Sequence, residues 1–350
     1  MKKIASVKSE PHIRVLLSKN IKAVEIVSET PAGKKRIVFT MSGGQLVRDG
    51  ASLGDVKAYV AAPKGGTLKV GEFICPGGIS IVIDNSMMAV LNELPLETYL
   101  AGVLPSEMPM KFPKEALRAQ VIAARTYAIG RMVLDPEHRV YDVVATTSDQ
   151  VFKGAEAIDP AVREIVASTR GTVMTYDGEI FLAYFHSTCG GHTVRAMTAL
   201  PKATEDIPPL AGVECGYCKE SPRYTWETEI SAADFAKLKD LPAGATVKEI
   251  RAGELTAEGR LKNVILATSE GEVTVDAFSF RETLGNARIF STWITSIEKT
   301  SDGFVFKGRG FGHGAGMCQF GASGLAGAGK TAADILKFFY YPGVELLKLY

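Results

Sequence analysis

The order of residue patterns along the 350-residue chain predicts an α+β fold: a strand-rich N-terminal region, a central helical core with mixed sheet, and a small inserted α/β lobe. Three observations carry that reading. Residues 13–90 are short β-rich runs broken by Gly-Gly, Asn and Pro turns. One long helix-forming stretch, Lys114 to Leu134, follows, and strand texture returns from Thr172 onward without the regular strand–helix alternation of a doubly wound sheet. The implied organisation is a region 1–90, a domain 91–345, and an inserted lobe at 228–290.

Taken in order, Ile13–Leu17, Ala23–Val27, Arg36–Phe39 and Ile79–Ile83 are the clearest early strands. Pro95 opens a helical pattern through Leu104. The segment Pro105-Ser106-Glu107-Met108-Pro109 then breaks it, because proline disfavours helix before itself and lacks a donor, which puts Glu107 in a turn between two helices. Pro113 suits the first turn of the next helix, whose stripe Leu117, Val121, Ala124, Ala128 and Met132 lies on one face. Thr172–Phe185 reads as strand, and Cys189-Gly190-Gly191 as a tight turn. Within the inserted lobe, Ala232–Leu238 is a short helix and Asn263–Leu266 a strand. Gly308–Gly329 is a Gly-rich loop, Ala332–Tyr341 a closing helix, and no internal repeat occurs.

The length suits about two packed lobes. An apolar share of 46% and a charged share of 23% are those of a globular chain. Lys+Arg 40 against Asp+Glu 39 leaves +1, so there is no global electrostatic footprint for nucleic acid. No apolar window of about 18 residues exists to span a bilayer as a helix. The opening Met1–Lys8 is basic like a secretory leader, but Lys8, Glu10 and His12 interrupt it before an apolar stretch develops. Either the protein stays inside or its leader was removed.

Gly324-Leu325-Ala326-Gly327-Ala328-Gly329-Lys330-Thr331 satisfies the phosphate-loop pattern letter for letter. Its context does not: Cys318–Ser323 is no buried strand, and the 19 residues after Thr331 leave no room for the remaining parallel strands. The expectation is no nucleotide, with Thr331 capping the last helix.

Five cysteines, Cys75, Cys189, Cys215, Cys218 and Cys318, are too few and too spread for a disulfide scaffold. His186, Cys189 and His192 lie three residues apart, and Cys215-Gly216-Tyr217-Cys218 supplies a second pair. This is the arithmetic of a tetrahedral structural zinc site, with Cys189, His192, Cys215 and Cys218 as the favoured ligands and His186 as the alternative ligand or a cleft-facing side chain. A disulfide within the set, or inert thiols, are the competing readings. Cys75 and Cys318 show no partner spacing and read as small apolar residues.

Leu94-Pro95-Leu96-Glu97-Thr98-Tyr99 through Pro105-Ser106-Glu107-Met108-Pro109, followed by Glu115–Ala128, resembles the SpoIID/LytB family. Further family-like blocks are Ser148–Gly154, His186–Thr193, Phe280–Gly285 and Gly308–Ala322, in the same order, so that the resemblance covers roughly residues 90–345. It implies work on bacterial cell wall: lytic cleavage of peptidoglycan glycan strands already stripped of peptides, or enhancement of a cell-wall amidase. It also implies that Glu107 is the catalytic glutamate and Arg125 its important arginine, that zinc is present in some members, and that the location is the extracytoplasmic cell envelope. The chain departs from the usual pattern at Met317-Cys318-Gln319, where Ser is common before Gln.

Glycosidic cleavage requires a proton for the departing oxygen as positive charge builds on the sugar. One glutamic acid can supply it and then accept the proton of the sugar's own 6-hydroxyl, giving a 1,6-anhydro product. Burial of Glu107 beside Leu104, Met108, Met110 and Phe112 would favour its protonated form. The bland alternatives are a helix-start acid for Glu107 and a structural ion pair for Arg125, since a buried charge must be paired. His313 and Gln319 lie where missing side chains let a polysaccharide approach the backbone; they are the substrate-binding candidates, with Gln150 and His186 behind them. A lone His is as readily a packed, hydrogen-bonded residue.

Overall fold

The computed structural model describes residues 1–134, 140–154, 158–201 and 203–350. The fold is mixed α+β, in two compact units: residues 1–182 with 346–350, and residues 183–345.

In the first unit the early strands build two sheets. One has the order Val143–Val144, His12–Ile21, Met87–Pro95, Gly78–Asp84, Lys57–Ala61; the other runs from Ala51–Ser52 through Gln45–Arg48, Gly33–Ser42, Ala23–Thr30 and Thr67–Val70 to Phe73–Cys75. Alternation along each strand turns one set of side chains inward, so Ile26, Phe39, Leu46 and Leu68 of one sheet share a core with Ile79, Ile81, Met88 and Val90 of the other. The boundary expected at residue 90 therefore falls inside a packed sheet, because His12–Ile21 pairs antiparallel with Met87–Pro95. Three helices follow: α1 (Leu96–Glu107), α2 (Lys114–Leu134) and α3 (Pro160–Ser168). Helix α2 is buried along most of its length, as its alanine-rich composition implies, and Asp159 caps α3 by accepting from Ala161 N. The chain end returns here: Leu349 N donates to Gly171 O at 2.8 Å.

The expected Gly-rich loop Gly308–Gly329 instead carries a short strand, Met317–Cys318, and a helix, Gln319–Gly327, and the expected end of α1 is also corrected. Helix α1 does not stop before Pro105 but carries it in its last turn and ends at Glu107, with Met108 N donating to Leu104 O. A proline that near the C-terminus gives up one ladder bond, and Pro109 then prevents any extension.

The second unit contains α4 (Ala196–Ala199), α5 (Ala277–Leu284), α6 (Gln319–Gly327) and α7 (Ala332–Phe339). Its main core joins two three-stranded sheets, Thr225–Ser231/Gly303–Arg309/Ile294–Lys299 and Val247–Ala252/Asn263–Thr268/Gly271–Asp276, around Trp226, Phe235, Phe280 and Phe306. This core runs across the lobe expected at 228–290 and on through the strands at 294–299 and 303–309, which pair with each other, the second also pairing with Thr225–Ser231, distant in sequence. Ala232–Lys237 is a 3₁₀ turn.

The phosphate-loop pattern has an architectural use. Gly324 and Gly327 lie inside α6; a Cβ at Gly324 would sit 2.2 Å from Tyr217 O, so the glycine permits close packing of helix on loop. Thr331 caps α7 in a reciprocal box with Asp334.

Candidate functional site

In the first unit, the C-terminal end of α1 meets the loop from Ala145 to Gly154. Gly102 makes the approach possible: a Cβ there would lie 2.7 Å from the Phe152 ring and 2.9 Å from Gly154 O. Phe152 is buried 5.3 Å from the Tyr99 ring, and the next backbone N–H up the loop, that of Val151, donates to Glu107 Oε1 at 2.6 Å. Glu107 is thus half-buried and oriented by a fixed amide; Leu104 and Met108 beside it in sequence are buried, Met110 and Phe112 half-buried.

Asp149 fastens the same loop. It accepts from Tyr127 Oη at 2.6 Å and Val144 N at 2.8 Å, and Arg131 Nε lies 3.3 Å away. Gln150 is fully buried, accepting from Tyr99 Oη at 2.9 Å and donating to Ala124 O at 3.1 Å, so its amide ties α1 to α2 and is not offered to a sugar. Burial, with Asp149, Tyr127 and Glu107 nearby, pushes the Tyr99 hydroxyl well above its ordinary pKa and keeps it a donor.

Arg125 has the structural role. Its guanidinium is fully buried and forks onto Glu97, Nε to Oε1 at 3.0 Å and Nη2 to Oε2 at 2.7 Å, with further bonds to Thr172 O and Thr169 Oγ1. Glu97 also accepts from Gly171 N at 3.1 Å and Tyr350 Oη at 2.5 Å. Burial opposes ionisation of Glu97, but these partners, led by Arg125, hold its pKa below the ordinary value. Arg125 is therefore not aimed at a sugar: four of its bonds lock the first turn of α1 to the start of the Thr172 strand and, through Glu97, to the chain end.

In the second unit, Cys189, Cys215, Cys218 and Cys318 are all buried with sulfurs within 4.8 Å of one another. His192, expected among the ligands, is not in the set, and Cys318, expected to be inert, is. The reason is strand alternation. His192 bridges Glu214 across two antiparallel segments, so its side chain shares the face of Glu214 and not that of the neighbouring Cys215; its Nδ1 turns to Thr193 O. Cys318 arrives from a parallel bridge with His186 and starts α6, where its sulfur accepts from Gly321 N and Cys189 N, both at 3.2 Å. A Cβ at Gly321 would lie 2.8 Å from Cys215 Sγ, so this glycine admits the cluster against the helix. The departure at Cys318 from the Ser that the resemblance leads one to expect before Gln319 is a sequence signal that could have found it.

Four thiolates at about 2.3 Å from a zinc ion in tetrahedral array lie about 3.8 Å apart, and the Cys189–Cys218 separation is 3.4 Å. That spacing fits metal ligation and is too long for a disulfide. Hydrogen bonds from the Cys189, Cys215 and Cys318 thiols push Cys218 down toward thiolate, while Cys189 is pushed up by its bonds to Cys215 and Cys218, and Cys318 by burial.

His186 is buried, its Nδ1 3.0 Å from Ala315 O, and its Nε2 has no hydrogen-bond partner among the described residues. His313, half-buried 5.4 Å from the His186 ring, donates from Nε2 to Phe185 O at 2.9 Å and accepts at Nδ1 from Ala315 N at 3.1 Å. Both its nitrogens are engaged as a neutral ring; burial, then Arg281 and Arg260, push its pKa down to about 3. Gln319 is buried in the first turn of α6. His186 and His313 hold the glycine segment from within, both through Ala315.

Residues 84–176 match the family described as Stage II sporulation protein (SpoIID), and residues 212–316 match a domain of unknown function (DUF8618). The chain is 31% identical to Stage II sporulation protein D of Bacillus subtilis, over 85% of this chain and 87% of that protein. This chain belongs to the SpoIID family. It is also 33% identical to an uncharacterized protein of Brachyspira hyodysenteriae, over 92% of this chain and 79% of that one. Similarity to the amidase enhancer of Bacillus subtilis is 29%, over 71% of this chain but only 40% of that protein. The SpoIID match covers the Glu107 and Arg125 helices and the Asp149 loop, while DUF8618 begins just before Cys215 and ends just before Cys318.

Proposed function

We propose that this SpoIID-family chain acts on bacterial cell wall as a peptidoglycan lytic transglycosylase, with Glu107 as acid and then base. The observation that carries the reading is the seat of Glu107: a half-buried carboxyl at a helix end, oriented by the Val151 amide, within the segment that matches the SpoIID family. Glu107 gives its proton to the glycosidic oxygen between MurNAc and GlcNAc, and the C1–O bond breaks with the electrons leaving on that oxygen. The 6-hydroxyl of the same MurNAc then attacks C1 and returns its proton to Glu107, closing a 1,6-anhydro ring and regenerating the acid. Among the described residues, the carboxylate that fastens the same loop, Asp149, is engaged by Tyr127, Val144 and Arg131, which supports a one-acid scheme over a hydrolase with a second carboxyl.

The amidase enhancer relative favours a second reading: glycan binding that stimulates a cell-wall amidase without bond cleavage. Digestion of purified peptide-free glycan strands, followed by mass analysis, separates the two. Anhydro-ended fragments that fall by about 10²–10⁴-fold in Glu107→Gln support the enzyme. Intact strands with retained binding overturn it in favour of the binder, and reducing ends indicate hydrolysis. Under either reading the chain works at the extracytoplasmic cell envelope, with an amidase as working partner.

The cofactor reading is a structural zinc held by Cys189, Cys215, Cys218 and Cys318. Bound there, zinc would cross-link the Cys189 turn, the Cys215–Cys218 loop and the start of α6, supplying fold stability and no chemistry to the sugar. One zinc per chain in protein purified without chelator is the expected result, and its absence overturns the site.

A further inference from the structure

Arg260 is 1 % exposed. A guanidinium keeps its proton in proteins, so a full positive charge lies inside the second unit. Such a charge normally requires a carboxylate. Arg260 has no carboxylate within ion-pair distance among the described residues. Its Nη2 donates to Cys189 O at 2.8 Å, its guanidinium lies 5.4 Å from the Trp293 ring centroid, and Nε and Nη1 are buried without a hydrogen-bond partner among the described residues.

The seat is built for this side chain. Gly314, at φ +90°, would place a Cβ 2.6 Å from Arg260 Cζ, so the glycine segment leaves room for the guanidinium. Of the groups whose charge would act on it, Cys189 and Cys318 belong to the four-cysteine cluster and the third is half-buried Glu258. Four neutral thiols would leave only Glu258 among these to balance Arg260. Four thiolates around a divalent ion carry a net charge of −2, which a buried cation at the Cys189 carbonyl offsets by half.

We propose that Arg260 is the resident counter-charge of the four-cysteine centre, a positioning residue whose guanidinium favours the divalent-metal, tetrathiolate form over the metal-free thiol form. The proposal rests on the metal reading of the cluster and adds to it a residue that touches no metal. It also gives the DUF8618 region a role, since the Arg260 loop carries charge to cysteines from three other segments.

The test uses the full chain, wild type and the Arg260→Met and Arg260→Lys variants, loaded with cobalt(II) and then displaced by zinc(II). The cobalt–thiolate charge-transfer bands report four-sulfur coordination, and competition with a chromogenic chelator gives affinity. Arg260→Met is expected to keep the four-sulfur spectrum and to lose about 10–100-fold in zinc affinity, with Arg260→Lys within about tenfold of wild type. A folded Met variant with wild-type affinity overturns the proposal while leaving the metal site standing. If the Met variant fails to fold, the Lys variant decides: affinity within about tenfold of wild type supports a charge effect, and a larger loss overturns it. A wild-type chain that takes up no cobalt or zinc overturns the metal reading, and this proposal with it.

Discussion

Arg125 and Arg260 are equally lost to solvent, and they are balanced in opposite ways. Arg125 forks onto Glu97 with two charge-assisted bonds, adds Thr172 O and Thr169 Oγ1, and shares its carboxylate with Gly171 and Tyr350. Arg260 has one carbonyl, an aromatic face and two nitrogens without a partner among the described residues, beside a cluster of thiols. The first is a closed structural network, complete in protein atoms alone. The second has half-buried Glu258 nearby but no ion pair among the described residues, and is balanced more fully when the cysteines carry negative charge. A buried arginine thus reports on its surroundings: where its partner is a carboxylate it fixes the fold, and where it is not, something else nearby must be charged.

The largest expected effect comes from the closed network. Arg125→Met strands Glu97 as an unpaired buried acid and should cost about 3–5 kcal/mol in chemical denaturation, whereas Glu97→Met with Arg125→Met should recover most of that loss. Equal losses in single and double variants would refute the pairing account. Removal of metal comes next: at free zinc about 100-fold above its dissociation constant, chelation should lower stability by about 2.7 kcal/mol, read from denaturation with and without chelator. A chain indifferent to chelator breaks the contrast between the two arginines.

Acid titration sharpens it further. Because the folded pKa of Glu97 lies below the unfolded value of about 4.3, its contribution is fully present above that pH and fades as the pH falls through the folded value. Stability measured against pH should decline on that acid limb in wild type and be flatter there in the Glu97→Met/Arg125→Met double variant. The smallest effect calibrates the scale: Thr331→Ala removes an exposed capping box and should cost about 1 kcal/mol, without the leverage of a buried charge.

Much of the molecule is legible from residue order. Alternating apolar runs mark the early strands, alanine-rich composition marks α2, and the resemblance of the Ser106-Glu107-Met108-Pro109 block to the SpoIID family singles out Glu107. The failures have one physical origin. Residue order ends α1 before Pro105 because proline breaks helices, but near a helix end the lost bond matters little. Spacing favours His192 over Cys318 because ligand spacing is local, while the ligand set is decided by a two-residue parallel bridge joining segments some 130 positions apart. Membership of family-like blocks makes Arg125 a candidate helper to Glu107, and the structure commits it to Glu97.

By itself the sequence determined the early strands, helix α2 and the grouping of most of the cysteines, since each follows from nearest-neighbour patterning along the chain, and its resemblance to the SpoIID family singled out the candidate acid. Only the tertiary structure decided that Cys318 completes the cluster, that Arg125 is saturated by Glu97, Thr169 and Thr172, and that Arg260 is buried without a carboxylate. Those are facts about charge and distance between residues far apart in order. A sequence records which charges exist, and folding settles which of them must face one another away from water.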